Sequence, residues 1–340
     1  MIKRLQTLLV TFALCVGSVW AGDFEDGVEA YNKTDYATAL KKFKSAIWGR
    51  SEAQFNLGLM YMNGQGVVQD NAEAVRWWKL AAGQSFAPAQ HNLGIMYDNG
   101  QGVVQDYAEA VRWYKLAAAQ GFAESQFNLG LMHKNGQGVV QDNAEALRWW
   151  KLAVGQGFAP AQFNLGLMYK NGQGVVQDNA EAVRWYKLAA GQGNANAQTY
   201  LGLAYANSEG VVQDFSEAAR WYKLAAAQGD RIAQEKLALQ YDIGQGVVQD
   251  YAEAARWYRL AAAQGNVLAQ YILGTRYMRG QGIAQDYTRA HMWFNLAGVK
   301  GDSDAIKNRD IVAKLMTPQQ VAEAQKLARE CQARHFKNCD

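Results

Sequence analysis

Apolar residues in this chain recur at three- and four-residue spacing in short blocks, and the blocks themselves return every 36 residues. In residues 51–86 the first block is Ala53, Leu57, Gly58 and Tyr61, which fall on one side of a helix. The second block is Ala74, Trp77, Trp78 and Ala81. Between them Gly64 and Gly66 end the first helix, since Gly just past a helix end takes the left-handed conformation. Asp70, with Glu73 three residues on, opens the second helix in a pattern close to a capping box. The two loop valines, Val67 and Val68, are expected to tuck against neighbouring helix ends. The loop reads NGQGVVQD at residues 63–70, 99–106, 135–142 and 171–178, then decays to NSEGVVQD, IGQGVVQD and RGQGIAQD ending at Asp214, Asp250 and Asp286. No residue is inserted or lost between copies. One hairpin cannot bury both of its faces, so a fixed period of this size predicts stacked hairpins.

The pattern resembles the Sel-one-like repeat family, a branch of the tetratricopeptide-type solenoids. The resemblance is carried by Ala53-x-x-x-Leu57-Gly58-x-x-Tyr61, then Gly64-x-Gly66-Val67, then Asp70, then Glu73-Ala74-x-x-Trp77-x-x-x-Ala81-Ala82, repeated over residues 51–301. His133 replaces the Tyr, Ala238 replaces the helical Gly, and Ser208-Glu209 breaks the fifth loop. The predicted fold class is all-α: a right-handed α-α superhelical solenoid of helical hairpins with a 36-residue period. Residues 23–49 resemble an ordinary tetratricopeptide hairpin without the Gly insert. Residues 302–334 read as capping helices, the last opened by Thr317-Pro318, with Val321, Ala324, Leu327 and Ala328 facing inward. Residues 335–340 are a tail.

Residues 1–21 read as a signal peptide: Lys3 and Arg4 precede a short apolar run, and Val19-Trp20-Ala21 offers a cleavage site after Ala21. The run is too short for a comfortable membrane span. The expected location is periplasmic or secreted, with no membrane insertion after cleavage. Removing Lys3 and Arg4 from 34 basic residues leaves 32 against 31 acidic ones, a near-neutral chain without the footprint of a nucleic-acid binder. Cys331 and Cys339 are the two cysteines left, a disulfide candidate in an oxidising compartment.

Catalytic patterns are missing. His91, His133, His291 and His335 share no metal-ligand spacing. There is no Gly-x-Ser-x-Gly and no Ser-x-x-Lys. The Gly-Gln-Gly-Val-Val loop follows a helix rather than a strand, and lacks the Lys of a phosphate loop. The Trp stripes recur with the repeat, as core filler does. Some cysteine-rich relatives bind penicillin-type compounds, but they carry a Cys pair per unit, and no repeat here has any. The expectation is no enzyme, no catalytic residue, no metal and no cofactor.

Function is expected on the concave face lined by the first helix of each hairpin, with a protein or peptide as partner and a monomer as the working state. Around that helix, positions 55, 59 and 62 point away from the core side. Position 59 is nearly constant, as Leu59, Ile95, Leu131 and Leu167. Position 55 varies as Phe55, His91, Phe127, Phe163, Thr199, Glu235 and Tyr271. Position 62 varies as Met62, Asp98, Lys134, Lys170, Ala206, Asp242 and Met278. Because the rest of each unit is nearly copied, these positions predict an apolar groove in the N-terminal half, edged by Lys134 and Lys170, with Tyr271 further along. The resemblance implies an interaction scaffold in envelope assembly or signalling. The alternatives are a secreted effector contacting host proteins, or a cell-wall or β-lactam-processing enzyme.

Overall fold

The computed structural model describes residues 21–336 and residue 339. The expected leader and the peptide bonds before Ala21 lie outside the described residues; Ala21 itself opens the first helix. Among the described residues there are eighteen helices and no strand. They open with α1 (Ala21–Asn32) and α2 (Tyr36–Ser45). Seven hairpins follow, each a first helix and a second helix: α3 (Ser51–Asn63) with α4 (Asn71–Gly83), α5 (Ala87–Asn99) with α6 (Tyr107–Ala119), α7 (Ala123–Asn135) with α8 (Asn143–Gly155), and α9 (Ala159–Asn171) with α10 (Asn179–Gly191). The remaining three are α11 (Ala195–Asn207) with α12 (Phe215–Ala227), α13 (Arg231–Ile243) with α14 (Tyr251–Ala262), and α15 (Val267–Arg279) with α16 (Tyr287–Val299). The chain closes with α17 (Ser303–Ala313) and α18 (Pro318–Ala333). Two compact units are distinguished, residues 1–161 and 162–340.

Each hairpin is built the same way. The carboxylate of Asp70 accepts from the amides of Ala72 and Glu73 at 2.9 and 3.0 Å, so it caps α4. An aspartate caps the second helix of all seven hairpins, each cap worth about 1 kcal/mol. Glu73 is ion-paired to Arg76 at 3.0 Å on the solvated side, a pair that contributes only a few tenths of a kcal/mol. Gly58 lets the two helices approach: a Cβ there would overlap the Trp78 indole, whose Nε1 donates to the Phe55 carbonyl at 3.1 Å.

The loop is held at both ends. Gln69 donates to the Met62 carbonyl at 2.8 Å, and the Asp70 amide donates to the Tyr61 carbonyl at 2.9 Å. Its second glycine is fixed twice over: Gly102 has φ +69°, and a Cβ there would run into the backbone of Asn71 in the preceding hairpin. The expectation for the loop valines holds for one of the two. Val67 is half-buried, but Val68 is 88% exposed, and so are its counterparts through Val248 to within a few per cent. The two held ends turn the second side chain outward, where no neighbouring helix reaches it.

A row of glutamines links the two helices of each hairpin but the last, and ties a hairpin to the one before it. Gln84 donates to Gln54 at 2.8 Å, and the bond recurs from Gln120 to Gln90, Gln156 to Gln126, Gln192 to Gln162, Gln228 to Gln198 and Gln264 to Gln234. Gln90 in turn donates to the Ala82 carbonyl of the preceding hairpin at 3.3 Å. The amides thus add a second bond to helix-end carbonyls that already accept from the turn, as Ala82 does from the Ser85 amide at 3.0 Å. The row stops at Gln270, whose Oε1 is buried without a partner. Lys300 stands in the donor's place and turns to the Gly265 carbonyl and the Phe336 ring.

The ends are built differently. Phe43 is fully buried between α1 and α2 beside Phe24, and Lys42 bridges Asp23 and Asp26 at 2.7 and 2.8 Å. At the other end α17 and α18 pack on α16. Thr317 and Gln320 form a reciprocal capping box. Ala324 and Ala328 are buried, Val321 and Leu327 half-buried. A disulfide joins Cys331 to Cys339.

Candidate binding surface

Every expected contact residue of the N-terminal half is buried or half-buried. Position 55 lies in the joint between hairpins. Phe55 is only 5% exposed, with its ring 5.4 Å from Phe86, the residue that opens the next hairpin. His91 meets Phe122 at 5.0 Å, and its Nδ1 lies 2.8 Å from the Ser125 hydroxyl. Phe127 meets Phe158 at 5.5 Å, and Phe163 meets Tyr200 edge-on at 5.3 Å. The reading of position 55 as the lining of an open groove is therefore corrected at Phe55: the ring closes a seam and is out of reach of a partner. Burial also pushes the His91 imidazole down to about 4, which keeps it neutral.

Further along, the joint becomes polar. Asn266 donates to Glu235 at 2.6 Å, and Asn308 donates to the Tyr271 hydroxyl at 3.2 Å. Asn194, Asp230, Asn266 and Asp302 cap their helices from the place that Phe86 and Phe122 hold without a side-chain cap.

Position 62 is largely engaged inside the array as well. Lys170 is ion-paired to Glu209 at 2.7 Å, which lowers that carboxyl, and its amine sits 5.5 Å over Tyr200. The Lys134 amine sits 5.9 Å over Trp150. Asp98 is half-buried; burial raises its carboxyl, against a hydrogen bond with Tyr114 that lowers it. Met62 packs in the cluster around Phe55, and so does Leu59. Ile95, Leu131 and Leu167 are half-buried. Asp242 holds Arg276, a guanidinium buried where earlier hairpins have Met60, Met96 and Met132.

One side of each first helix is the row at positions 52, 56, 59 and 63, which lie within about 60° of one another; it is open at its C-terminal end in the first two hairpins, where Asn63 and Asn99 are exposed but Asn56 and Asn92 are buried. In the first three hairpins this row is Glu52, Asn56, Leu59 and Asn63; Pro88, Asn92, Ile95 and Asn99; Glu124, Asn128, Leu131 and Asn135. In the last two it is Ile232, Lys236, Leu239 and Ile243 on α13, and Leu268, Ile272, Thr275 and Arg279 on α15. The same spacing continues on α17 with Ile311 and, just past it, Leu315. Ile232, Leu239, Ile243, Leu268, Ile311 and Leu315 are 42–59% exposed. An exposed apolar stretch therefore exists, but toward the C-terminus: Ile232, Ile243, Leu268 and Leu315 stand at places that hold Glu, Pro or Asn in the first three hairpins, whereas Leu239 and Ile311 continue a position that is apolar throughout them. Its signal was in the sequence: Ile and Leu stand where Asn and Glu otherwise recur.

Among the described residues no group of three or more His, Cys, Asp or Glu is placed to hold a metal ion. No described helix is long and apolar enough to cross a membrane. His133 and His291 are held below the usual imidazole range by burial.

The family model for the Sel1 repeat matches residues 51–86, 87–122, 123–158, 159–194, 195–230, 231–266 and 267–302. A Sel1 repeat protein from Oxalobacter formigenes, known as a crystal structure, is 33% identical over 71% of this chain and 97% of its own, with a TM-score of 0.66. A protective antigen present in uropathogenic Escherichia coli strains, displaying an SLR fold, is 29% identical over 93% of this chain and 85% of its own, with a TM-score of 0.44. Among curated proteins no relative matches. Seven consecutive matches cover well over half of the chain: it belongs to the Sel1 repeat family, whose members are typically non-catalytic scaffolds for protein–protein interaction.

Proposed function

We propose that this chain is an exported scaffold that holds a protein partner on the open side of its first helices, at α13, α15 and α17. The observation that carries the reading is the apolar row from Ile232 to Leu315. Repeats that are otherwise near copies serve as its control, since the places equivalent to Ile232, Ile243, Leu268 and Leu315 hold Glu, Pro and Asn in α3, α5 and α7, and only the position of Leu239 and Ile311 is apolar there too. Packing does not account for half-exposed Ile and Leu at these places, whereas a docking surface does. Export rests on the leader read in residues 1–21, and separating periplasm from medium distinguishes an envelope component from a secreted effector.

A photoreactive residue placed at position 243 or 311 in cells, compared with one at position 63, tests the reading. Crosslinks to a protein are expected from the first two and not from the third. Equal crosslinking from all three, or none from any, would sink it.

A further inference from the structure

The charges around the apolar row specify the kind of partner. Arg279 lies within the row on α15, and Arg231 and Lys314 lie beside it. All three are exposed, and among the described residues their side chains make no ion pair or hydrogen bond. The carboxylates nearby are in a different state. Asp242 is held by Arg276, Glu235 by Lys236 and Asn266, Asp304 by Lys307 and Asp310 by Arg309. Asp230 and Asp302 are occupied as helix caps. The free charge around the row is therefore positive.

We infer that the row from α13 to α17 takes an acidic, amphipathic segment of another protein, with its apolar side on Ile232, Leu239, Ile243 and Leu268 and its carboxylates on Arg279, Arg231 and Lys314. This rests on the reading of the open side as a protein-binding surface. Complementary charge steers such a partner and fixes its register, and the apolar contact supplies most of the affinity. A second copy of this chain fits less well, because a two-fold contact presents the same patch to itself and sets Arg279 against other unpaired cations. An anionic membrane shares the charge but not the shape. The row has no Trp or Phe, and its Ile and Leu side chains are half sunk rather than projecting as in a surface-lying helix.

The test is selection from a library of random peptides about four helical turns long on the full chain, with Ile243→Asp, Arg279→Glu and, as a control, Asn63→Asp in parallel. Circular dichroism of each variant confirms that it is folded. The expected winners combine Leu, Ile or Phe with Asp or Glu. Their binding to Ile243→Asp is at least about ten-fold weaker, binding to Arg279→Glu is several-fold weaker, and Asn63→Asp binds them as the parent does. Neutral or basic winners that still depend on Ile243 overturn the acidic partner while leaving the protein-binding surface standing. Winners indifferent to Ile243, or no winners together with no crosslinks from position 243, overturn both. Concentration-dependent dimers lost in Ile243→Asp assign the row to a second copy. Binding to phosphatidylglycerol vesicles that is lost in Ile243→Asp assigns it to a membrane. Either result overturns the proposal.

Discussion

In the first three hairpins a ring on one first helix meets the ring that opens the next hairpin: Phe55 with Phe86, His91 with Phe122, Phe127 with Phe158. In the sixth hairpin the same two places hold Glu235 and Asn266, joined by a hydrogen bond, and Asn266 also caps α15. An aromatic joint gains from burial and leaves the helix end uncapped. A polar joint caps the helix and buries less. The fourth and seventh hairpins are mixed, with Phe163 before the cap Asn194 and Tyr271 before the cap Asp302, so variation along a repeat array can record a change in how units are joined and need not record a change of partner. Lys170 with Glu209 and Asp242 with Arg276 teach the same lesson at position 62.

The largest effect is expected at the buried ion pair. Asp242→Asn leaves the Arg276 guanidinium buried without its counter-charge and should cost about 3–5 kcal/mol in chemical denaturation. Adding Arg276→Met, which restores the residue type of Met60, should recover most of that loss; a double variant no better than the single would refute the pairing as its cause. Phe55→Ala opens an aromatic joint and should cost about 3 kcal/mol.

The His91 joint titrates. Its folded value of about 4 lies below the ordinary 6.5, so the unfolded chain binds the extra proton between those values. Stability from this group is complete above about pH 6.5 and falls toward pH 4, by about 3 kcal/mol. His133 and His291 act in the same direction, whereas Asp98, whose carboxyl is raised, opposes them. His91→Phe, which makes this joint like its neighbours, should flatten the slope; an unchanged pH profile of the denaturation midpoint would exclude His91 as a source. The smallest effect is Asn194→Ala, which removes one polar cap and should cost about 1 kcal/mol. If Phe55→Ala and Asn194→Ala prove equally costly, the distinction between the two kinds of joint fails.

The hairpins, their caps and the Gly-gated loop were legible in the sequence because they rest on local rules: helical spacing, an Asp at the helix start, Gly at its end. Phe55 was misread because its partner, Phe86, lies 31 residues on and in the next hairpin, where helical spacing says nothing. The glutamine row was legible as a residue invariant at position 54, but its meaning needs the neighbouring helix end. Val68 was misread because the direction of a loop side chain depends on how both loop ends are held. The apolar row toward the C-terminus was visible as a departure from Asn and Glu, yet its exposure depends on how consecutive first helices pack.

The loop that closes on its own hairpin has a consequence for how the gene can change. Each unit carries its own stop, turn and start, and the rung from Gln84 to Gln54 reappears in every hairpin but the last. Excising residues 87–122 would set Phe86 before Ala123 and still leave Phe86 for Phe55 and Phe158 for Phe127. Recombination between the near-identical segments of the aromatic half can therefore shorten or lengthen the array without a mismatched seam. A crossover that set Phe55 before a hairpin opened by Asp230 would reproduce the mixed joint already present at Phe163 and Asn194. Array length is free to drift in the aromatic half, whereas a change among α13, α15 and α17 would redraw the apolar row itself.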